Sequence, residues 1–502
     1  MTVCDPVATH ARSNPDNLAL VDVSDQRRWS YLELDTAINR LAAWLVELLG
    51  ENSGARVATL SRNCAEMGVL QLASVRAGTV FVPFNWRLAA AEIAVLATDA
   101  EPAVMFIQAG FEAPKAAKQV IPIDQMLDQG MVGAKPPRSA RRPFDAVSCL
   151  LYTSGTSGRP KGVMLSESNA FWGATNFIMG NDVSMHSVFL CDMPLFHTAG
   201  LHAAFRTPIQ AGATVYVTPG FDPELTLQRL SDPKMGVTHY FSVPQMATTL
   251  WNQPGFDATR LQGIKTWAIG GAPNPKAQSE RLVKAGIHIS EGFGMSETGS
   301  NFAMPANRPD VLLAKAGSCG LPNVAIEAAI FDEDGHELGD GETGELWIRG
   351  PSVAMGYWNQ PELTGKVFRD GWFLTGDAAV RDQDGFYYIV DRKKDMYISG
   401  GENVYPAEVE AALAELPQIG ECAIVGVPDE RWGEVGRAYV IPVTGQSISP
   451  AEIIAHCESR LARFKVPKSA VITDVIPRTA SGKVQKHLLR ERAMAELAND
   501  QG

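Results

Sequence analysis

Residues 151–163 read LYTSGTSGRPKGV, a run of glycine and hydroxyl residues leading into Lys161. Side chains this small leave backbone N–H groups exposed, and N–H groups converging beside a cation are what a phosphate needs. The spacing fails the GxxxxGK[ST] phosphate-loop pattern, which requires glycine where Pro160 stands and a hydroxyl residue where Gly162 stands. The run is therefore either a phosphate cradle of another kind or a Gly/Ser-rich surface turn, and composition alone leaves both open. Three more segments concentrate glycine, proline and hydroxyl residues: PLFHTAG with His197, GGAP at 270–273, and EGFGMSE with Glu291 and Glu297. Any one of them could be an ordinary chain reversal. Four together are harder to dismiss.

These segments need a scaffold. Short apolar, β-branched runs precede or contain them: RVATLS, TVFVPF, AVMFIQ, VSCLLYTS, SVFLCDMP, ATVYVTP, GVTHYFSVP, KTWAIGGAP and IHISEGFG. Their alternation with helical or loop stretches predicts an α/β fold with largely parallel, doubly buried strands. Ligands of open α/β sheets bind outside the carboxyl ends of the strands, so one site collects the four segments. From Ser30, the spacing Leu34, Ile38, Leu41, Leu45, Leu48 predicts an amphipathic helix with Gly50 as its C-cap.

Past residue 317 the texture becomes hairpin-like, in GELWIRG and GFYYIVDR with the acidic turns DEDG and DQDG. After DRKKD, a helical stripe of Val409, Ala412, Leu413 and Leu416 follows Pro406, and strand-like CAIVGV and AYVIPV come next. The expected architecture is a large N-terminal domain of layered α/β sheets (1–393) with a small β-rich subdomain, and a smaller α+β C-terminal domain (394–502) divided from it at Lys394. GAKPPRSARRPFD (133–145) reads as a linker.

The bulk properties agree. A chain of 502 residues exceeds the size at which one core stops growing. A net charge of −12 argues against a nucleic-acid surface. Seven scattered cysteines without a CxxC pair suit neither a disulfide framework nor a zinc site. The N-terminus carries no apolar run after a basic start, and no window approaches 18 apolar residues, so a cytoplasmic protein without integral membrane association is expected. A homodimer, the commonest closed assembly, is compatible with all of this.

LYTSGTSGRPKGV, PLFH, GGAP, GFGMSET, WFLTGD, DRKKDMYISGGENVYPAE and PRTASGK occur in the order and approximate spacing of the adenylate-forming enzymes, which the chain resembles over almost its whole length. Within that superfamily it is most similar to bacterial fatty-acyl-CoA and feruloyl-type aryl-CoA synthetases, through ISGGENVYPAE. The resemblance implies ATP, Mg²⁺ and coenzyme A. A carboxylate would attack the α-phosphate of ATP, releasing pyrophosphate, and the CoA thiol would then displace AMP. The first step brings two anions together, so cations and N–H donors must meet the developing charge.

The resemblance also implies roles. Thr153, Ser154, Gly155, Thr156, Ser157 and Gly158 would cradle the β- and γ-phosphates, with Lys161 in support. Glu297, with Thr153, would hold Mg²⁺, a hard cation that prefers oxygen ligands. Glu291, Gly292, Phe293, Gly294 and Ser296 would border the nucleotide, with Phe293 on one face of the adenine and Gly271, Ala272 and Pro273 on the other. Ser296 stands where the family more often has threonine. Asp377 would accept the ribose hydroxyls beside Arg392. Lys483 would bridge the substrate carboxylate and the α-phosphate, a task suited to a long, charged side chain. Lys394 would be the hinge on which the small domain turns, withdrawing Lys483 and bringing Ser399, Gly400 and Gly401 to the CoA tunnel.

His197 would line the acid pocket with Phe196, Phe241, Gly271 and Met295; a satisfied core histidine is the competing reading. Amino-acid-activating relatives carry aspartate at this position, so an amino-acid substrate is disfavoured. The wider lining, with Tyr240, Val243, Met246, Phe302 and Met304, is apolar, so fatty acids and aryl or phenylpropenoic acids such as ferulate both fit. No cation for a second carboxylate stands out. Two alternatives stay open. One is transfer to a carrier-protein thiol, disfavoured because so little chain follows Lys483. The other is a catalytically silent nucleotide-binding homologue, disfavoured because Glu297, Asp377, Arg392 and Lys483 are all present.

Overall fold

The computed structural model describes residues 5–129, 143–153, 160–272, 274–392, 395–399, 402–429, 431–479 and 483–500. The linker reading falls mostly outside these residues.

The stretch after Ser30 folds as the helix Tyr31–Leu49. It starts from a capping box, in which the Ser30 hydroxyl accepts from the Glu33 N–H and the Glu33 carboxylate accepts from the Ser30 N–H. Gly50 caps it at φ 86°. Leu34, Ile38, Leu41 and Leu45 are buried as expected, but Leu48 is exposed. The packed stripe continues instead through Leu49, four residues beyond Leu45.

All nine apolar runs contain strands, and they fall into two sheets. One runs Val120–Pro122, Val104–Ile107, Arg56–Leu60, Val80–Phe84, Val147–Thr153, Lys161–Ser166. It is parallel except for the last pair. The other has nine strands, with a parallel centre from Leu18–Asp22 through Thr214–Val217, Val188–Cys191, His239–Ser242 and Thr266–Ile269 to Ile289–Met295. The helix Ala65–Ala77 is buried on nearly every side, as a helix packed between layers must be. One core joins it and Tyr31–Leu49 to Phe81 and Cys149 of the first sheet and Phe189 and Val215 of the second.

GELWIRG and GFYYIVDR become strands of an antiparallel sheet with Glu327–Phe331, Thr343–Arg349, Trp372–Arg381 and Tyr387–Arg392. The last sheet pairs Tyr397–Ser399, Glu402–Val404, Ile419–Asp429, Gly433–Pro442 and Ser469–Ile472. It has its own core of Tyr397, Val409, Leu413, Ile424 and Val440. The chain is thus mixed α/β with a large N-terminal and a smaller C-terminal domain; the expected boundary residue, Lys394, lies outside the described residues. Among the described residues no helix is long and apolar enough to cross a membrane.

Candidate active site

Thr153 ends its strand directly opposite Lys161, with Tyr152 opposite Gly162. The strands Val147–Thr153 and Lys161–Ser166 therefore pair as the two arms of a β-hairpin, and the next helix, Glu167–Gly180, begins only after the second arm. This differs from a strand-to-helix phosphate loop, in which helix N-terminal N–H groups meet the anion, and it explains the failed pattern match. Ser154, Gly155, Thr156, Ser157 and Gly158 lie outside the described residues.

The hairpin is braced from one side by residues 356–360. The Trp358 N–H donates to the Gly162 carbonyl at 2.7 Å and the Met164 N–H to the Gly356 carbonyl at 2.9 Å. Tyr152 Oη donates to Asp99 at 2.6 Å. The same brace reaches Glu297, which is buried. Tyr357 Oη donates to Glu297 Oε1 at 2.9 Å, and the Ala354 N–H donates to the Glu297 carbonyl at 2.7 Å. Lys161 Nζ lies 5.2 Å from the centre of the Tyr357 ring. Tyr357 thus stands between the lysine after the glycine loop and the glutamate of GMSE. Sequence reasoning missed it: a buried tyrosine needs a partner for its hydroxyl, but nothing local says that the partner is Glu297.

Phe293 and Met295 sit with Gly292 and Gly294 on the strand Ile289–Met295, which folds back on Gly299–Ala303. The close approach demands the glycine at 294, where a Cβ would stand 2.2 Å from the Gly299 carbonyl oxygen. Phe293 meets Phe302 edge to face at 5.9 Å and keeps part of its surface open. Ser296 is buried. Across from this strand, Gly271 has φ 84° and Ala272 is exposed; Pro273 lies outside the described residues. Phe241 packs beside Gly270 and against Phe177.

Glu291 is buried and accepts from Asn274 at 3.2 Å and from the Ser279 hydroxyl. Burial raises its pKa, against the opposing pull of these hydrogen bonds. Asp377, also buried, faces Arg392 across the strand pair Trp372–Arg381 and Tyr387–Arg392. The charges of Glu291 and Asp377 both reach the Cys319 thiol, whose pKa is pushed up by burial first and by these carboxylates after it. Both carboxylates therefore lie in the neighbourhood of Cys319.

His197 follows the buried Phe196, over whose ring the Arg87 guanidinium lies at 5.8 Å. Its loop is tight: the His197 N–H donates to the Pro194 carbonyl at 3.0 Å, and a Cβ on Gly200 would stand 2.1 Å from that same oxygen. A π-helical turn, Ala199–Arg206, follows, a geometry frequent at functional sites. The Ala199 N–H donates to His197 Nδ1 at 3.3 Å, which leaves the ring proton of the neutral imidazole on Nε2. Part of the His197 surface faces open space, yet the surrounding protein hydrates its cation poorly. That burial, followed by the charge of Lys483, brings its pKa down to about 4.

The Lys483 backbone is tied back to Thr479. The Lys483 N–H donates to Thr479 Oγ1 at 3.1 Å and the Thr479 N–H to the Lys483 carbonyl at 2.7 Å, with Arg478 bridged to Val484. Ser399 is buried in the small-domain sheet opposite Glu402 and Gly433; Lys394, Gly400 and Gly401 lie outside the described residues. The wider pocket lining needs correction. Tyr240, Phe302 and Met304 are wholly buried in core clusters, because alternate residues of a strand face opposite ways and Tyr240 points away from the side that Phe241 occupies.

The AMP-binding enzyme family model matches residues 7–358, and that of the AMP-binding enzyme C-terminal domain matches residues 408–483. Feruloyl-CoA synthase of Amycolatopsis sp is 37% identical over 92% of this chain and 94% of that protein. Among solved structures, ATP-bound MatB from Rhodopseudomonas palustris superposes with a TM-score of 0.89 at 31% identity, covering 98% of this chain and 99% of that one. Its apo form scores 0.79. MenE of Bacillus subtilis, the o-succinylbenzoate-CoA synthetase, in complex with ATP and magnesium ion scores 0.86 at 29% identity, over 96% and 98% of the two chains.

Proposed function

Since the chain belongs to the AMP-binding enzyme family and is an AMP-forming acid–thiol ligase that uses ATP, Mg²⁺ and CoA, we propose that its acid is an aryl or phenylpropenoic acid and that His197 and Lys483 receive the carboxylate. The observation that carries this assignment is that the charge of Lys483 lies near enough to His197, beside Phe196, to add to the burial that keeps the imidazole neutral. An ammonium and a nearby Nε2–H donor suit a carboxylate, and an ordered site spends no reorganisation on orienting them. The likeness to feruloyl-CoA synthase and the apolar Phe196, Phe241 and Met295 favour a planar aromatic acid behind that carboxylate.

In the first half-reaction a carboxylate oxygen attacks the α-phosphorus, and the bond from phosphorus to the bridging oxygen breaks, so pyrophosphate departs with the electron pair. Lys483 neutralises charge on the α-phosphate and on the attacking carboxylate, and His197 orients the latter. The residues at 153–158 hold the leaving phosphates, with Lys161 behind them. Asp377 and Arg392 hold the ribose. Phe293 on one side and Gly271, Ala272 and Pro273 on the other enclose the adenine, flanked by Glu291, Gly292, Gly294 and Ser296.

Glu297 and Thr153 offer a carboxylate and a hydroxyl, a donor set that fits Mg²⁺. Tyr357 occupies Oε1 and so fixes which way the carboxylate faces. When bound, the ion offsets the charge of the leaving pyrophosphate. In the second half-reaction the CoA sulfur attacks the acyl carbon and the bond to the AMP oxygen breaks. Lys483 has no task in that step, and rotation at Lys394 to bring Ser399, Gly400 and Gly401 forward would withdraw it. The better match to ATP-bound than to apo MatB favours reading the present arrangement as that of the first half-reaction.

The test is CoA-dependent AMP formation across a panel of phenylpropenoic, benzoic, medium- and long-chain fatty, and dicarboxylic acids. The highest kcat/KM is expected for a phenylpropenoic acid. Preference for dicarboxylates would overturn the pocket reading. Preference for long-chain acids would establish a fatty-acyl-CoA ligase instead.

A further inference from the structure

We propose that Asp391 is a latch residue that holds the C-terminal domain in the arrangement presenting Lys483, by capping one helix of that domain and pairing with Lys486 at the start of another. The proposal rests on the two-arrangement reading of the half-reactions given above.

Asp391 belongs to the large domain. Its strand, Tyr387–Arg392, is paired along Trp372–Arg381, with Asp391 opposite Ala378. The carboxylate is nevertheless buried against partners from the other side of the domain boundary. Asp391 Oδ2 accepts from the Ala407 N–H at 2.7 Å. Ala407 is the second residue of the helix Pro406–Leu413, whose own N-cap position, Tyr405, supplies no side-chain acceptor. A helix leaves its first N–H groups unsatisfied and carries partial positive charge there, so an anion supplied from the neighbouring domain does what an N-cap aspartate does within one chain segment.

The same carboxylate oxygen lies 3.8 Å from Lys486 Nζ, which also meets Glu410 Oε1 at 3.0 Å. The Lys486 side chain is only 14% exposed. Glu410 is committed to the small domain through the Ile424 N–H at 2.8 Å. Lys486 follows Lys483 by three residues and opens the helix Lys486–Asp500. The carboxylate thus ties the large domain to the root of the element that carries Lys483.

The contacts are matched to the arrangement. Rotation at the boundary would carry Ala407 and Lys486 away together and leave Asp391 without either, whereas Lys486 would keep Glu410. The latch therefore favours one arrangement and contributes nothing to the other, which makes Asp391 a positioning residue for Lys483.

The test uses the full chain and measures the half-reactions separately, as acid-dependent ATP–pyrophosphate exchange and as thioester formation from synthetic acyl-adenylate and CoA. Asp391→Ala and Lys486→Met should each lower exchange by about tenfold, the loss expected for a partly buried charged hydrogen bond. Thioester formation should change by less than about twofold. The double variant should lose no more than the worse single variant, since both remove one coupled contact. Asp391→Asn, which keeps an acceptor for the Ala407 N–H and loses the ion pair, should fall between wild type and Asp391→Ala.

Equal loss in both half-reactions, or exchange unchanged in both single variants, would overturn the latch. Lys483→Ala run alongside tells the two proposals apart. If Lys483→Ala separates the half-reactions and Asp391→Ala does not, the latch alone fails. If Lys483→Ala does not separate them, the reading on which the latch rests fails with it.

Discussion

The charge of Lys483, from the C-terminal domain, reaches His197 of the large domain and adds to the burial that holds the imidazole near pKa 4. The ordinary value is 6.5, so His197 is neutral throughout the physiological range and offers Nε2–H as a donor. Adenylation should therefore show no histidine inflection between pH 6 and 8 in a kcat/KM profile. His197→Asn, which keeps an N–H donor, should retain more adenylation than His197→Ala, whose loss should be about tenfold or more. An inflection near 6.5 that disappears in His197→Asn would contradict the assignment.

The hydrogen bond from Tyr357 to Glu297 fixes one carboxylate oxygen of the proposed metal ligand. Tyr357→Phe keeps the ring and loses the hydroxyl. It should raise the Mg²⁺ concentration needed for half-maximal pyrophosphate exchange by about tenfold and weaken Mn²⁺ binding in the presence of ATP, read by the loss of free Mn²⁺ signal. Tyr387→Phe serves as the control, because that hydroxyl donates to the Ala328 carbonyl at 2.8 Å, within the β-rich subdomain. Its metal dependence should match wild type. Equal shifts in the two variants would reduce Tyr357 to a packing residue.

His202 lies on the π-helical turn, buried, with neither ring nitrogen partnered among the described residues. Burial holds its pKa at about 4. As pH falls through 6.5 the unfolded chain takes up a proton that the folded one refuses, so stability is complete above that value and is lost down to about 4. Between pH 7.5 and pH 5 this one group should cost about 2 kcal/mol. His202→Leu should lose correspondingly less stability over that interval in urea unfolding. A pH dependence identical to wild type would show that the imidazole finds a partner in solution.

The strands were legible because doubly buried parallel strands are written as continuous apolar runs, and VFLC or TWAI can hardly be anything else. The helix Tyr31–Leu49 was legible from the stripe Leu34, Ile38, Leu41, Leu45 and from Gly50, and only its final turn was misjudged. PLFH, GGAP and GFGMSE follow or end strands of one sheet, Val188–Cys191, Thr266–Ile269 and Ile289–Met295, which is why they could be read together. What lies between the motifs was not legible. Tyr357 is one more aromatic in GYWNQ until the fold brings it to Glu297, and Asp391 reads as the first residue of DRKKD until two helices of another domain converge on it. Partners far apart in sequence leave no local periodicity. The pairing of the strands on either side of the glycine run escaped for a related reason: KGVMLS is short, and only its pairing with the preceding strand identifies it as a return strand.

In the proposed mechanism Lys483 serves the first half-reaction and has no task in the second. The measurement that tests it is made on Lys483→Ala, comparing acid-dependent ATP–pyrophosphate exchange with thioester formation from preformed acyl-adenylate. Exchange should fall at least about a hundredfold, in keeping with loss of a group that meets charge developing in the transition state, while thioester formation stays within about twofold of wild type. Comparable loss of both activities would contradict the account.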